Sequence, residues 1–221
     1  MRRVTYIAIM LILSAAGLSA QSPTTTYPYL YDTFTDGTVV LTDGTKEQRQ
    51  MNVHLRAGRL HYIDKGVVKE AFLTDVAAVE IGKDVFIPVQ ASVMKVVAKN
   101  DAGCVVLESI GDFDGSMEAT GAYGVSSTSS ATMKLTSIQT DSQVNQNYMN
   151  ILNEKEKGVI LNVNTKLYVV TPTYKVRATK KDVEASLPAD KAAQFKAFLK
   201  ANKVKWNNPQ SLLSVVSFLS E

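Results

Sequence analysis

The sequence is short of the residues that most often carry chemistry. Among 221 residues there are one cysteine, one tryptophan and two histidines. With Cys104 alone, the chain can close no internal disulfide and build no Cys-His metal cluster. Its setting, Cys104-Val105-Val106-Leu107, reads as a small buried hydrophobe. Charge of one sign is also missing: 24 basic side chains stand against 21 acidic ones, a formal charge of +3. Such a balance argues against a dedicated nucleic-acid binder. No apolar run reaches the roughly 20 residues that a membrane span needs. A Gly-x-Ser-x-Gly elbow, a phosphate-cradling loop and zinc-protease spacing are all lacking, which removes the usual signatures of hydrolases, nucleotide enzymes and metalloproteases. Gly121-Ala122-Tyr123-Gly124 has the glycines of a phosphate loop but neither its lysine nor a strand-to-helix setting.

What is present begins at the amino terminus. Arg2-Arg3, an apolar run over 6–18, and the small pair Ser19-Ala20 before Gln21-Ser22 have the form of a secretory signal peptide. The expected product is periplasmic or secreted, starts near Gln21, has no lipid anchor and does not span the membrane. Without residues 1–20 the charge loses Arg2 and Arg3 and falls from +3 to +1, and about 201 residues remain, enough for one large domain or two small ones. The apolar fraction of 45% is sufficient for a sizeable core.

From 28 to 112 the chain alternates apolar and polar residues in short runs: 37–41, 51–55, 60–63, 67–71, 77–81, 85–89, 92–99 and 104–110. Breaks such as Asp43-Gly44, Asp64-Lys65-Gly66 and Gly82-Lys83-Asp84 are hairpin signals. Strands this close in sequence pair antiparallel, because a parallel pair needs a long crossover. The predicted fold class is α+β, mainly β: an antiparallel meander forming a barrel or sandwich, with a small C-terminal helical segment packed on it. Residues 113–147, crowded with Ser, Thr and Gly, read as a flexible loop with a weak strand signal at 133–138. Residues 158–221 return to strand patterns at 159–163, 166–171 and 174–178, then turn helical. Thr179-Lys180-Lys181-Asp182 resembles a capping box. Pro188 starts a second helix with Phe195, Phe198, Leu199 and Asn202 along one side, and Asn208-Pro209 opens a third bearing Leu212, Leu213, Val216 and Leu219.

Two groups of residues are candidate sites. A two-residue turn at Ala57-Gly58 pairs His54 with His61, Leu55 with Leu60 and Val53 with Tyr62. It places Asn52, His54, Arg56, Arg59 and His61 on a solvated polar face. Paired imidazoles suit a metal, but Arg56 and Arg59 beside them oppose a cation, so the group reads as an anion or glycan site, with a plain polar sheet face as the alternative. Asp112, Asp114, Ser116 and Glu118, spaced at alternate positions around Gly115, offer hard oxygens for Ca²⁺, although the spacing is not that of an EF-hand. The stretch 174–205 carries nine Lys/Arg against three acids, a solvated helix face or a contact for an anionic envelope surface.

The stretches Val79-Glu80-Ile81-Gly82-Lys83-Asp84-Val85-Phe86-Ile87-Pro88-Val89 and Gly121-Ala122-Tyr123-Gly124, with the tail from Thr179-Lys180-Lys181-Asp182 to Phe195-Lys196-Ala197-Phe198, resemble a set of exported β-rich proteins of Bacteroidetes with a helical C-terminal tail. The resemblance implies secretion, a β-rich body and a helical tail, and transfers no activity and no site residue. Taken together, these features predict an exported non-enzymatic binding or assembly protein whose partner is another protein or a cell-envelope component. The rivals are a small periplasmic hydrolase with a scattered site and an accessory subunit of an outer-membrane complex.

Overall fold

The computed structural model describes residues 24–26, 28–112, 145–147 and 160–221. The signal-like segment 1–20 and most of 113–147 lie outside the described residues. Twelve strands and three helices are formed among those described. The strands are β1 (Thr24–Thr26), β2 (Thr35–Leu41), β3 (Lys46–His54), β4 (Arg59–Asp64), β5 (Val67–Glu70), β6 (Val76–Ile81), β7 (Asp84–Val89), β8 (Ser92–Asn100), β9 (Gly103–Gly111), β10 (Asn145–Asn147), β11 (Ile160–Val170) and β12 (Lys175–Arg177). The helices are α1 (Lys180–Ser186), α2 (Ala189–Ala201) and α3 (Pro209–Ser220).

The turns explain the meander. Lys65-Gly66 links β4 to β5 with φ of 52° and 79°, the two positive angles that a two-residue type I′ hairpin requires. Gly82 at φ 58° opens the two-residue turn between β6 and β7. Every ladder is antiparallel. The strands follow the order β1-β11-β9-β8-β7-β6-β2-β3-β4-β5-β10, with β12 on β11. The sheet is not closed, which sets the barrel aside in favour of the sandwich. It curls strongly. The corner between β3 and β4 folds back on the other half of the sheet: Val93 N–H donates to Gly58 O at 2.8 Å, Gly111 N–H to Leu55 O at 2.8 Å, and Ser92 Oγ to Ala57 O at 2.8 Å. Inside the curl Val39, Met51, Val53, Leu60, Val79, Ile81, Phe86 and Val93 make a common core.

The C-terminal helices cover one face of β8, β9 and β11. Ala98, Val105 and Val169 from the strands pack with Val183, Phe195, Leu212, Val215, Val216 and Leu219 from the helices. Phe195, Phe198 and Phe218 cluster with ring centroids 4.9–6.0 Å apart. The expected docking of the tail on the β-body is therefore found. Its caps follow the sequence. Thr179 Oγ1 accepts from Asp182 N–H at 3.1 Å and Asn208 Oδ1 accepts from Ser211 N–H at 3.0 Å. The capping box is only half made: Thr179 N–H donates to Arg177 O, and Thr179 Oγ1 donates to the Asp182 carboxylate at 2.7 Å.

Three elements differ from the sequence reading. The expected strands 159–163 and 166–171 are one strand, β11, because β9 supplies a continuous partner that carries the ladder through Asn164-Thr165. The last residues of the Ser/Thr/Gly-rich stretch form β10 on the edge of β5. The hairpin at Ala57-Gly58 has a four-residue turn, and its register moves by two: Val53 faces Leu60, His54 faces Arg59, and Asn52 faces His61. Ala57 lacks the preference for positive φ that a two-residue type I′ turn needs. A shift of two preserves which residues share a face, so the division between Val53-Leu60-Tyr62 and Asn52-His54-Arg59-His61 survives.

Candidate functional site

The two histidines come together by a different route from the one the hairpin suggested. They sit on β3 and β4 as diagonal neighbours, and their rings stack with centroids 4.9 Å apart and planes 29° apart. The face they occupy is covered in part. Residues 28–34 run as a strap beside β3, beyond the end of its ladder with β2, fixed by Leu30 N–H to Val53 O and Leu55 N–H to Pro28 O, both 2.9 Å, and turn Tyr29 onto that face. Tyr29, only 4% exposed, lies edge-on to His54 at 5.3 Å, to His61 at 5.7 Å and to Phe34 at 4.9 Å. Its hydroxyl is 3.0 Å from His61 Nδ1. Val68 and Ile63 complete the apolar floor.

The strap also needs a partner for its own backbone, which bulges away from β3 between Tyr29 and Thr35. Asn52 supplies it. The side chain is buried, at 1% exposure, and makes four hydrogen bonds. Oδ1 accepts from Tyr31 N–H at 3.1 Å and Val53 N–H at 2.8 Å; Nδ2 donates to Tyr31 O at 2.8 Å and Thr33 O at 3.1 Å. A buried amide is stable only when its capacity is met in this way.

Charge around the rings is arranged by β4 and β5. Arg59 Nη1 is 3.6 Å and His61 Nε2 3.8 Å from the Glu70 carboxylate. Arg56 N–H donates to His54 Nδ1 at 3.4 Å. Burial, with the Arg56 charge adding to it, lowers the His54 pKa to about 4. Burial, the His54 ring and Arg59 lower that of His61 to about 3. Near neutral pH both rings are uncharged, so the His61–Glu70 approach is a contact between a neutral ring and a carboxylate and not an ion pair. The four residues of the candidate anion site are thus gathered in one place, with an internal carboxylate, Glu70, set beside Arg59 and His61.

Asp112, of the candidate calcium group, leaves β9 with its N–H donated to Asn162 O at 2.8 Å. Asp114, Ser116 and Glu118 lie outside the described residues. Among the described residues no three His, Cys, Asp or Glu side chains are grouped to hold a metal. Cys104 is half-buried and burial raises its thiol pKa, which suits a structural residue better than a reactive one. On the basic stretch, Lys196 pairs with Glu184 at 3.2 Å, and Lys191 Nζ lies 5.8 Å from the Tyr174 ring centroid and 5.9 Å from that of Phe218.

Tyr29 and Glu70 belong to the site without having been singled out, and Asn52, placed on the polar face by the sequence, had no role of its own there. Glu70 was within reach: a two-residue turn at Lys65-Gly66 pairs Asp64 with Val67 and so His61 with Glu70. Tyr29 was not, since nothing local says that 28–34 pairs with the end of β3. A second polar group joins the strap to the far sheet. Tyr31 OH donates to Asp84 Oδ2 at 2.7 Å, and Lys95 Nζ is 2.8 Å from Asp84 Oδ1. Burial and then the Asp84 bond raise the Tyr31 pKa. Burial alone would raise that of Asp84, but the bonds to Lys95 and Tyr31 prevail and lower it.

Set against known proteins, the chain matches no family model, no curated sequence and no solved structure.

Proposed function

We propose that the protein is an exported, non-enzymatic binding or assembly protein of the periplasm or cell surface. The observation that carries this reading is how the two histidines are used. Their rings, together with Tyr29 and Glu70, hold the chain to itself, with both imidazoles stacked under a buried aromatic residue. Groups engaged in that way serve a scaffold. The Arg2-Arg3 start, the apolar run over 6–18 and the small Ser19-Ala20 pair support export. One feature favours the more specific role of accessory subunit in an outer-membrane complex. Phe72 is 89% exposed on the loop between β5 and β6. That loop is pinned on both sides, by Ala71 N–H to Leu60 O and by Thr42 N–H to Asp75 O, both 2.8 Å. A large aromatic residue held outward on a pinned loop is the kind of anchor that a partner's pocket takes.

The test is to isolate the protein from its native host, sequence its amino terminus and identify what comes with it. The reading expects a start near Gln21 and an envelope partner whose recovery drops with Phe72→Ser. A retained Met1, or turnover of a hydrolase substrate by the pure protein, would count against it.

A further inference from the structure

We propose that residues 28–34 form an acid-released strap, held on β3 and β4 by the neutral His54–His61 pair and lifted when those rings take up protons. The argument rests on which atoms the rings present. His61 turns Nδ1 to the Tyr29 hydroxyl at 3.0 Å, and His54 turns Nδ1 to the Arg56 N–H at 3.4 Å. The Glu70 carboxylate, 3.8 Å from His61 Nε2, favours the hydrogen on that nitrogen, which leaves Nδ1 to accept from Tyr29. Proton uptake converts each Nδ1 from acceptor to donor. The bond from Arg56 N–H is then lost, and the Tyr29 hydroxyl must turn its lone pair to His61 and find another acceptor for its hydrogen.

Charge works in the same direction. Among the groups that act on the rings, the Arg56 charge bears on His54, the Arg59 charge on His61, and the Glu70 carboxylate lies 3.8 Å from His61 Nε2. Two imidazolium rings stacked 4.9 Å apart would repel each other as well as the two guanidinium groups. Neighbouring like charges and burial both disfavour the charged rings. The strap is the part that can yield. It joins the sheet through an isolated bridge and through side chains, with no extended ladder of its own. Lifting Tyr29 opens both rings to water and separates Tyr31 from Asp84, so the connection to β7 loosens as well.

The test is amide hydrogen exchange on the full chain at about pH 7.5 and about pH 5, with each rate corrected for its intrinsic pH dependence. Leu30 and Leu55 report the strap, because their N–H groups make its two backbone bonds. The β8–β9 ladder serves as the internal control. Protection of Leu30 and Leu55 is expected to fall at least about tenfold at the lower pH, since an opened imidazole with an ordinary value near 6.5 is almost fully protonated there. The ladder should keep its protection. In His54→Phe with His61→Asn, which retains a stacking ring and an acceptor for Tyr29 but nothing that titrates, the fall should vanish. An unchanged strap in the wild type at pH 5, or an equal fall in the double variant, overturns the proposal. If the double variant does not fold, nuclear magnetic resonance titration of the wild-type imidazoles decides. Rings that protonate near pH 6.5 under a protected strap overturn it; rings that protonate only as Leu30 loses protection support it.

Discussion

Replacing Asn52 tests whether one buried amide holds the strap. In Asn52→Ala, Tyr31 and Val53 each lose an acceptor for a backbone N–H, and Tyr31 and Thr33 each lose a donor to their carbonyl groups. A hydrogen bond contributes about 1 kcal/mol net, and a buried polar group left without a partner costs about 1–3 kcal/mol. Tyr31 is partly exposed and Thr33 exposed, so water can reach some of these groups once the strap shifts. The expected loss is about 3 kcal/mol, a large share of the roughly 5–15 kcal/mol that stabilises an ordinary domain. For a chain of this size it corresponds to a fall in Tm of roughly 6–12 °C. Urea unfolding followed by tryptophan fluorescence measures it, because Trp206 packs in the helical core and reports the global transition. Asn52→Asp sharpens the test. It keeps the acceptors but sets a carboxylate oxygen against the carbonyls of Tyr31 and Thr33, and so should cost at least as much as alanine near neutral pH. A loss under about 1 kcal/mol in both variants would refute the assignment, since that is what one solvated hydrogen bond contributes.

Three further outcomes are expected. Phe195→Ala should cost about 3–5 kcal/mol and lower the melting temperature in a single transition, because Phe195 is buried where the helices meet β8, β9 and β11; two separate transitions would mean that the tail folds alone. Gly103→Ala should destabilise by about 1–3 kcal/mol by chemical denaturation, since an added methyl would sit 2.2 Å from Val170 O and 3.1 Å from Val216 Cγ1. Stability should depend on pH through the two histidines. Their values lie near 4 and 3 when folded, against about 6.5 when unfolded, so at intermediate pH the unfolded chain binds more protons. Stability from this source is complete above about pH 6.5 and is lost as pH falls toward 4 and then 3; at about 1.4 kcal/mol per unit the two shifts set an upper bound of roughly 8 kcal/mol. Denaturation midpoints of the wild type should fall more steeply from about pH 6.5 to 4 than those of the His54→Phe, His61→Asn variant; equal slopes would refute the sign.

Much of the fold is written locally. Alternation marks the strands of the 28–112 meander to within two residues, except that β3 begins at Lys46, well before the run 51–55, and glycine turns mark most but not all of the breaks between them, because strand faces and hairpin turns depend on near neighbours. The caps at Thr179 and Asn208 are local too. The candidate site is legible only in part. His54, Arg56, Arg59 and His61 are adjacent in sequence, and their shared face follows from alternation alone. Their burial does not. It depends on Tyr29 and Phe34 packing beside the end of β3, in a segment bonded by Asn52, whose four hydrogen bonds a local reading does not reveal. The register failed for a related reason. Besides the local unsuitability of Ala57, the four-residue turn at 55–58 makes backbone bonds far away in sequence, with Val93 and Gly111, that a local reading does not reveal.

The β9–β11 ladder joins residues on either side of the long Ser/Thr/Gly-rich stretch, from Cys104–Gly111 to Val163–Val170. The helical core is assembled across the same seam: Ala98 and Val105 come from before the stretch, Val169 and all three helices from after it. The first portion holds the core inside the curl entire, but neither portion holds the helical core. A backbone nick within 113–144 would leave two polypeptides that each lack half of a hydrophobic layer and each supply the strand the other needs. Such fragments should reassociate when mixed, whereas the first portion made alone would display an uncovered β8–β9 face prone to self-association. For a chain synthesised from its amino terminus, that face stays open until the last sixty or so residues arrive.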